Sequence, residues 1–259
     1  MSKYKIGITE AGDAGLDLSW VDKLDTVDGA IVITKNMTAG FYNAVIDHKD
    51  KLIVHATVTG YGQSILEPNV PHPAIEIGSI MKLVDGGFPK NKVVIRVDPI
   101  IPTKKGIDTA CRVIKAFMDE GFSRFRVSII DMYPHVRERF KAAGLPLPYG
   151  EHGFNPSAKQ VKAVDKMLLD MSVYWSSFGD RADTCRMLMI ESCAEPGLTN
   201  TTQCGCVSSY DLCLLGLDDE PDPDSFGFQR KSCMCYSGKT ELLEHKKRCG
   251  HQCLYCYWR

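Results

Sequence analysis

The stretch "NKVVIRVDPIIP", residues 91–102, decides how the rest of the sequence is interpreted. It begins with a short β-branched apolar run, which is typical of a strand buried on both faces of a parallel sheet. Arg96 and Asp98 follow, and prolines then end the run. In open α/β sheets, ligands bind at the carboxyl ends of the strands. The stretch therefore predicts a parallel sheet and the edge of that sheet where a site would lie.

Similar apolar runs alternate with helix-like segments along the first two thirds of the chain. The strand-like runs are 3–9, 29–34, 51–59, 124–130 and a weaker one at 186–192, and the helical segments are 17–25, 38–48, 73–85, 106–120, 135–143 and 156–178. The last helix is predicted to start with Asn155 as its cap and Pro156 in its first turn. This alternation predicts an α/β fold whose parallel sheet is open or closed into a (βα) barrel.

Beyond about residue 192 the alternation gives way to cysteines, glycines and acidic turn residues such as "LDDEPDPDS" (217–225). We therefore predict a barrel core at 1–192 and a cysteine-rich module at 193–259 that completes the barrel and is organised by metal rather than by core packing. His55 lies on an apolar strand and is predicted to be a core histidine whose hydrogen bonds are satisfied.

Composition narrows the class of protein. The chain has 259 residues and a net charge of −1, so it has no overall electrostatic attraction for nucleic acid, although basic residues gather near its carboxyl end. No apolar run approaches the roughly 20 residues that span a bilayer, and the first residues lack a signal-peptide pattern. These features predict a cytoplasmic protein with no membrane segment.

Cysteine is the unusual component. All but one of the 11 cysteines lie at or beyond Cys185, the exception being Cys111. An odd number without a secretory signal argues against a disulfide framework, because the cytosol keeps thiols reduced. Metal or cluster ligation is the better interpretation.

Two groups of cysteines are candidates for ligation. In the tail "CGHQCLYCYWR" (249–259), Cys249, Cys253 and Cys256 can hold three irons of a 4Fe-4S cluster and leave the fourth iron open. The alternative is zinc, with His251 or His245 as a further ligand. The second group is predicted to be Cys193, Cys204, Cys233 and Cys235, with Cys206 as the replacement for Cys204, and to bind zinc or a second 4Fe-4S cluster.

The tail resembles the CxxxCxΦC loop of the radical SAM superfamily, with Tyr255 at the aromatic position. The His between the first two cysteines and the Tyr-Cys-Tyr step resemble the spore photoproduct lyase branch. The chain is also similar to an uncharacterised family with such cysteines at its carboxyl end, through "TKN" (34–36), "EPNVP" (67–71), "VDPIIP" (97–102), "VSIIDMY" (127–133), "CAE" (193–195) and "QRKSCMC" (229–235). Since the loop usually follows the first strand, the resemblance implies a circularly permuted radical SAM barrel, either partial or closed.

That resemblance implies an enzyme that cleaves S-adenosylmethionine at a 4Fe-4S cluster to a 5'-deoxyadenosyl radical, which then abstracts hydrogen from substrate. The reaction would be of lyase, isomerase or transferase type, and the electron donor would be a flavodoxin or ferredoxin. The lyase branch favours a modified nucleobase or DNA as substrate, with a peptide or small metabolite as the alternative. The rival function is a zinc-stabilised binding protein without catalysis.

The resemblance also implies cofactor contacts. S-adenosylmethionine would contact the backbone around residues 10–15 and Tyr255, and no catalytic side chain is assigned. The candidate contact residues are Glu10, Asp13, Lys35, Thr59, Arg96, Asp98, Ser128 and Tyr255. The family usually has Ser-Arg-Arg-Thr-Asp where this chain has "ITEAGDAG" (8–15), and only Asp13 keeps the acidic position.

Overall fold

The computed structural model describes residues 3–178, 187–193, 195, 197–218, 234, 236–244 and 249–258. Its strands are Ile6–Ile8 (β1), Gly29–Thr34 (β2), Leu52–Thr57 (β3), Val93–Ile100 (β4), Arg124–Ile129 (β5), Met189–Ser192 (β6), Thr202–Gln203 (β7) and Lys239–Glu241 (β8). They form one eight-stranded sheet in the order β7-β6-β5-β4-β3-β2-β1-β8, and each neighbouring pair is parallel. The predicted α/β fold with a parallel sheet is confirmed.

Helices connect the central strands. They are Ala39–Asp47 (α1), Pro73–Asp85 (α2), Lys104–Asp119 (α3), Pro134–Ala142 (α4), Ala158–Ser176 (α5) and Ser209–Leu214 (α6). Parallel neighbouring strands require such crossovers, because the chain must return to the starting edge of the sheet before the next strand begins. Within the described part of the chain, no helix is long and apolar enough to cross a membrane.

The sheet is open, with β7 at one edge and β8 at the other. Of the two predicted forms, the closed barrel is therefore wrong for the described residues, and the partial barrel is compatible with the sheet. The strand β8 pairs with β1 in register Ile6 to Lys239 and Ile8 to Glu241. The last strand along the chain thus lies beside the first.

Two local predictions are wrong. The segment predicted as a helix at 17–25 instead forms a short 3-10 helix, Val21–Thr26. The cap of α5 is Ser157, not Asn155, because Ser157 and Gln160 form a reciprocal capping box. Such a box satisfies two amide donors at the helix start, which a single Asn cap does not.

Apolar side chains bury both faces of the sheet. Alternate strand residues such as Val32, Val54 and Ile95 pack against the helices in the larger cluster. The intervening residues Ile31 and Ile53 face the opposite side. This alternation is the two-residue period of a strand applied to a sheet that is covered on both sides.

The carboxyl-terminal third contributes apolar side chains to this core, and the organisation of that part of the chain by metal stays a prediction. Leu212 of α6 and Tyr236 are fully buried on the side of the sheet that carries Ile31 and Ile53. β7 and β8 belong to the same sheet as the earlier strands. The division into 1–192 and 193–259 stays a prediction.

A buried ionic network anchors α6 to the sheet. Arg124 on β5 donates to Asp211 at 2.6 Å and to Glu191 on β6 at 3.1 Å. Arg126 also pairs with Glu191, at 3.2 Å. Both arginines and both carboxylates are almost completely buried, so each charge depends on its partners.

The network predicts a large effect of removing one charge. We expect Asp211→Ala to lower the free energy of unfolding by about 3–5 kcal/mol, because it leaves Arg124 buried without its closest partner. Urea denaturation measures this loss. The matched control is Asp170→Ala, which removes the exposed Lys166–Asp170 pair and is expected to cost less than about 0.5 kcal/mol. Equal losses in the two variants would contradict a structural role for the network.

Candidate functional site

A cavity of about 200 Å³ opens at the carboxyl edge of the sheet. Because β8 runs parallel to β1, the cysteine loop that follows β8 emerges at the same edge as the ends of β1 to β5. The cavity wall includes most of the residues that the sequence nominated, namely Asp13, Lys35, Arg96, Asp98, Ser128, Cys249, Cys253, Tyr255 and Cys256. Glu10 and Thr59 are not part of this wall.

Those two residues instead form hydrogen bonds with other charged side chains. The Thr59 hydroxyl donates to the Oε2 of Glu67 at 2.7 Å. The Glu10 carboxylate accepts a hydrogen bond from the Lys239 ammonium at 2.8 Å. This contact links the segment after β1 to the first residue of β8. Their predicted cofactor contacts stay predictions.

His251 fastens the cysteine loop to the body of the protein. Its Nε2 lies 2.8 Å from Asp13 Oδ2, and its Nδ1 lies 3.2 Å from the Asn69 carbonyl oxygen. Burial opposes a charged imidazole, but the Asp13 carboxylate outweighs it and raises the pKa of His251. Both ring nitrogens are therefore engaged with protein acceptors.

Asp13 is the acceptor on which several segments converge. Besides His251, its carboxylate accepts from the backbone N–H of Gly15 at 2.8 Å, the hydroxyl of Thr34 at 2.7 Å and the backbone N–H of Lys35 at 2.7 Å. A Cβ at Gly15 would lie 2.0 Å from the Asn36 carbonyl oxygen, so this close approach requires glycine. Asp13 thus connects the end of β1, the end of β2 and the cysteine loop.

Tyr255 makes a second attachment between the cysteine loop and the strands. Its hydroxyl donates to Glu67, and the Lys35 ammonium lies 2.9 Å from both the Tyr255 hydroxyl and Glu67 Oε1. Burial would raise the pKa of Glu67, but Lys35 and the hydrogen bonds from Tyr255 and Thr59 hold it below its usual value. The carboxylate is therefore ionised and completes a buried ion pair.

A third polar group lies at the ends of β4 and β5. Asp98 accepts from both Arg96 and Ser128. Burial would raise the pKa of Asp98, but the Arg96 charge and the hydrogen bond from Ser128 outweigh burial, so the pKa is lowered. The Nε of Arg96 is buried and has no hydrogen-bond partner among the described residues. This N–H is therefore an unsatisfied donor in the described structure.

Aromatic residues, which the sequence analysis did not nominate, form another part of the wall. Tyr133, Tyr257 and Trp258 line the cavity. The rings of Tyr133 and Tyr257 stack with centroids 6.0 Å apart, and Tyr257 and Trp258 are 4.7 Å apart. The sequence could have indicated Tyr257 and Trp258, because they directly follow the predicted ligand Cys256.

The three loop thiols share this cavity wall. Burial raises the pKa of Cys253 to about 12, against the opposing effect of the Lys35 ammonium. Burial also raises the pKa of Cys249. Over the described ranges, no three His, Cys, Asp or Glu side chains lie close enough together to hold a single metal ion.

The second cysteine group is described only in part. A hydrogen bond to Cys193, together with burial, raises the pKa of the Cys206 thiol. Burial raises the pKa of Cys204 to about 12, with the Arg126 guanidinium opposing it. The predicted ligands Cys233 and Cys235 lie outside the described residues. The structure thus brings Cys206 next to Cys193.

His55 differs from its prediction. It is fully buried on β3, but neither ring nitrogen has a hydrogen-bond partner in the described structure. Burial lowers the pKa of His55 far below its usual value, and Arg126, Arg96 and Arg124 add to this effect. The predicted satisfied histidine is therefore wrong, and the side chain is a neutral imidazole.

Fold and site together define an α/β protein with an open parallel sheet and a cysteine loop at the carboxyl edge of that sheet. A family model described as a domain of unknown function, DUF1848, matches residues 19–258, and the chain belongs to this family. No curated protein and no solved structure matches the chain.

A buried carboxyl group near the cysteine loop is expected to make the stability of the protein depend on pH. Glu76, in the first turn of α2, is 4% exposed and accepts the Met37 backbone N–H at 3.4 Å. Burial raises its pKa from 4.5 to about 7, despite that hydrogen bond. Its contribution to stability is therefore fully present below pH 4.5 and is lost as the pH rises through about 7.

We expect Glu76→Gln to remove that loss, because the amide cannot ionise. Above the raised pKa the variant should be more stable than the native protein by up to about 3 kcal/mol. Urea unfolding across this pH range measures the difference. The exposed Glu138→Gln is the control, and a Glu76→Gln curve parallel to the native one would contradict the assignment.

Proposed function

We propose that this protein is a radical SAM enzyme whose 4Fe-4S cluster is held by Cys249, Cys253 and Cys256. The observation that carries the proposal is that these three thiols line the same cavity as the polar strand ends. Three thiolates on one loop suit three irons of a cluster and leave the fourth for a small ligand. In that family the bound cluster supplies the electron that cleaves S-adenosylmethionine to a 5'-deoxyadenosyl radical.

The engagement of His251 favours this proposal over zinc. Zinc needs a fourth ligand beside three cysteines, and His251 was the nearest candidate in the sequence. Both of its nitrogens already have partners, at 2.8 and 3.2 Å. Ligation by His251 would therefore break its contact with Asp13 or with Asn69. The other candidate, His245, lies outside the described residues.

The place of β8 supports the proposed circular permutation. In an ordinary member the cysteine loop follows the first strand of the barrel. Here the loop follows β8, and β8 lies outside β1 at the edge of the sheet. Read in space and not along the chain, β8 is then the first strand and β1 the second.

The polar and aromatic walls suggest separate roles for this chain's residues. Arg96, Asp98 and Ser128 form a hydrogen-bonding edge suited to the ribose or carboxylate of S-adenosylmethionine. Tyr133, Tyr257 and Trp258 offer aromatic faces on which a planar ring can stack. We therefore extend the proposal to a nucleobase-like substrate. A flavodoxin or ferredoxin is the proposed electron donor.

A second metal site remains part of the proposal. Cys193 and Cys204, with Cys206 beside them, would provide ligands from the segment around β7, and Cys233 and Cys235 would complete the set. The site would bind zinc or a second 4Fe-4S cluster.

Anaerobic purification and reconstitution test the proposal. We expect iron and sulfide in the native protein, and 5'-deoxyadenosine after dithionite reduction with S-adenosylmethionine, followed by mass spectrometry. Cys253→Ala should abolish this product, because it removes one cluster ligand. The control is Cys111→Ala on α3, whose thiol lies 3.9 Å from Met171 Sδ, and it should retain the product. Zinc without iron, and no 5'-deoxyadenosine, would refute the enzyme and leave a zinc-stabilised binding protein.

A further inference from the structure

Lys35 is a buried cation placed against the cysteine loop. It stands at the carboxyl end of β2, and its side chain is 16% exposed. The ammonium lies 2.9 Å from the Tyr255 hydroxyl and 5.4 Å from the centre of the Tyr255 ring. Tyr255 directly precedes Cys256 and lies two residues after Cys253, so the positive charge contacts the segment that carries two of the thiols.

The counter-ion of Lys35 is shared among several donors. Glu67 accepts from Lys35 at 2.9 Å, from Thr59 at 2.7 Å and from Tyr255. Its negative charge is thus distributed over three hydrogen bonds. Two other basic side chains of the described cavity wall have their own carboxylate partners: Arg96 is paired with Asp98, and His251 with Asp13. Arg139 also touches the loop, at the Cys256 carbonyl, but it does not line the cavity.

A fixed positive charge acts differently on the two redox states of an iron-sulfur centre. A cluster held by thiolates is anionic and becomes more negative on reduction. Its reduction potential therefore depends on net charge, hydrogen bonding and exposure around it. In a site removed from water, one buried cation stabilises the reduced state more than the oxidised state.

We propose that Lys35 is a positioning residue that holds Tyr255 and raises the reduction potential of the cluster bound by the cysteine loop. This inference rests on the proposed function. The positive charge of Lys35, in the "TKN" segment, would make reduction of the cluster easier, and the negative charge of Glu67 would oppose this effect.

The test is a redox titration of reconstituted protein, followed by visible absorbance and by the paramagnetic signal of the reduced cluster. We expect Lys35→Met to bind as much iron as the native protein and to shift the reduction equilibrium at least tenfold toward the oxidised state, which is 59 mV for one electron. Lys35→Arg should restore the native potential. Glu67→Gln should shift the potential in the opposite direction, because it removes the negative partner.

Lys82→Met is the matched control, since the ammonium of Lys82, on α2, also lies over an aromatic ring, 5.6 Å from the centre of the Tyr42 ring on α1. It should leave the potential unchanged. An iron-loaded Lys35→Met protein with the native potential would overturn the inference and leave the proposed function intact. If Lys35→Met fails to fold, an unchanged potential in Glu67→Gln overturns it instead. A native protein that takes up no iron overturns both.

Discussion

The parallel pairing of β8 with β1 is the constraint on which the site depends. It is a short ladder, three residue pairs long, yet its direction sends the chain after residue 241 to the same edge as the ends of β1 to β5. An antiparallel β8 would deliver the cysteine loop to the opposite edge, away from Lys35, Arg96 and Asp98. The chemistry of the cavity is thus set by backbone direction before any side chain contributes.

Two buried carboxylates then fix the loop in place. Asp13 binds His251, and Glu67 binds Tyr255, each beside backbone or hydroxyl donors from the strand ends. Both carboxylates are almost fully buried, so each must be matched by donors in the folded protein. The loop residues between the cysteines therefore determine where the thiols lie.

Sequence patterns predicted the elements whose signal is local. The strand at 29–34 and the helix at 73–85 have the bounds expected from apolar period and flanking residues. The closed barrel, the helix at 17–25 and the Asn155 cap were wrong, since tertiary packing or a competing side chain decided them. Contacts between residues that are far apart in the sequence leave no pattern in the neighbouring residues from which they could be predicted. Glu67 and Tyr255 are 188 residues apart, and the sequence around His55 did not indicate that its ring nitrogens have no hydrogen-bond partner among the described residues.

The shortness of β8 has a consequence for the dynamics of the molecule. The ladder joins residues that are more than two hundred positions apart, so the entropy of closing a very long loop opposes it. The central strands β2 to β5 are held by longer ladders and by a common core. Cooperative opening starts where the fewest backbone bonds must break. The two edge strands, β7 with two residue pairs and β8 with three, are thus the parts of the sheet expected to detach before the central strands, and amide hydrogen exchange at Lys239–Glu241 would report this sub-global event at the edge that presents the thiols.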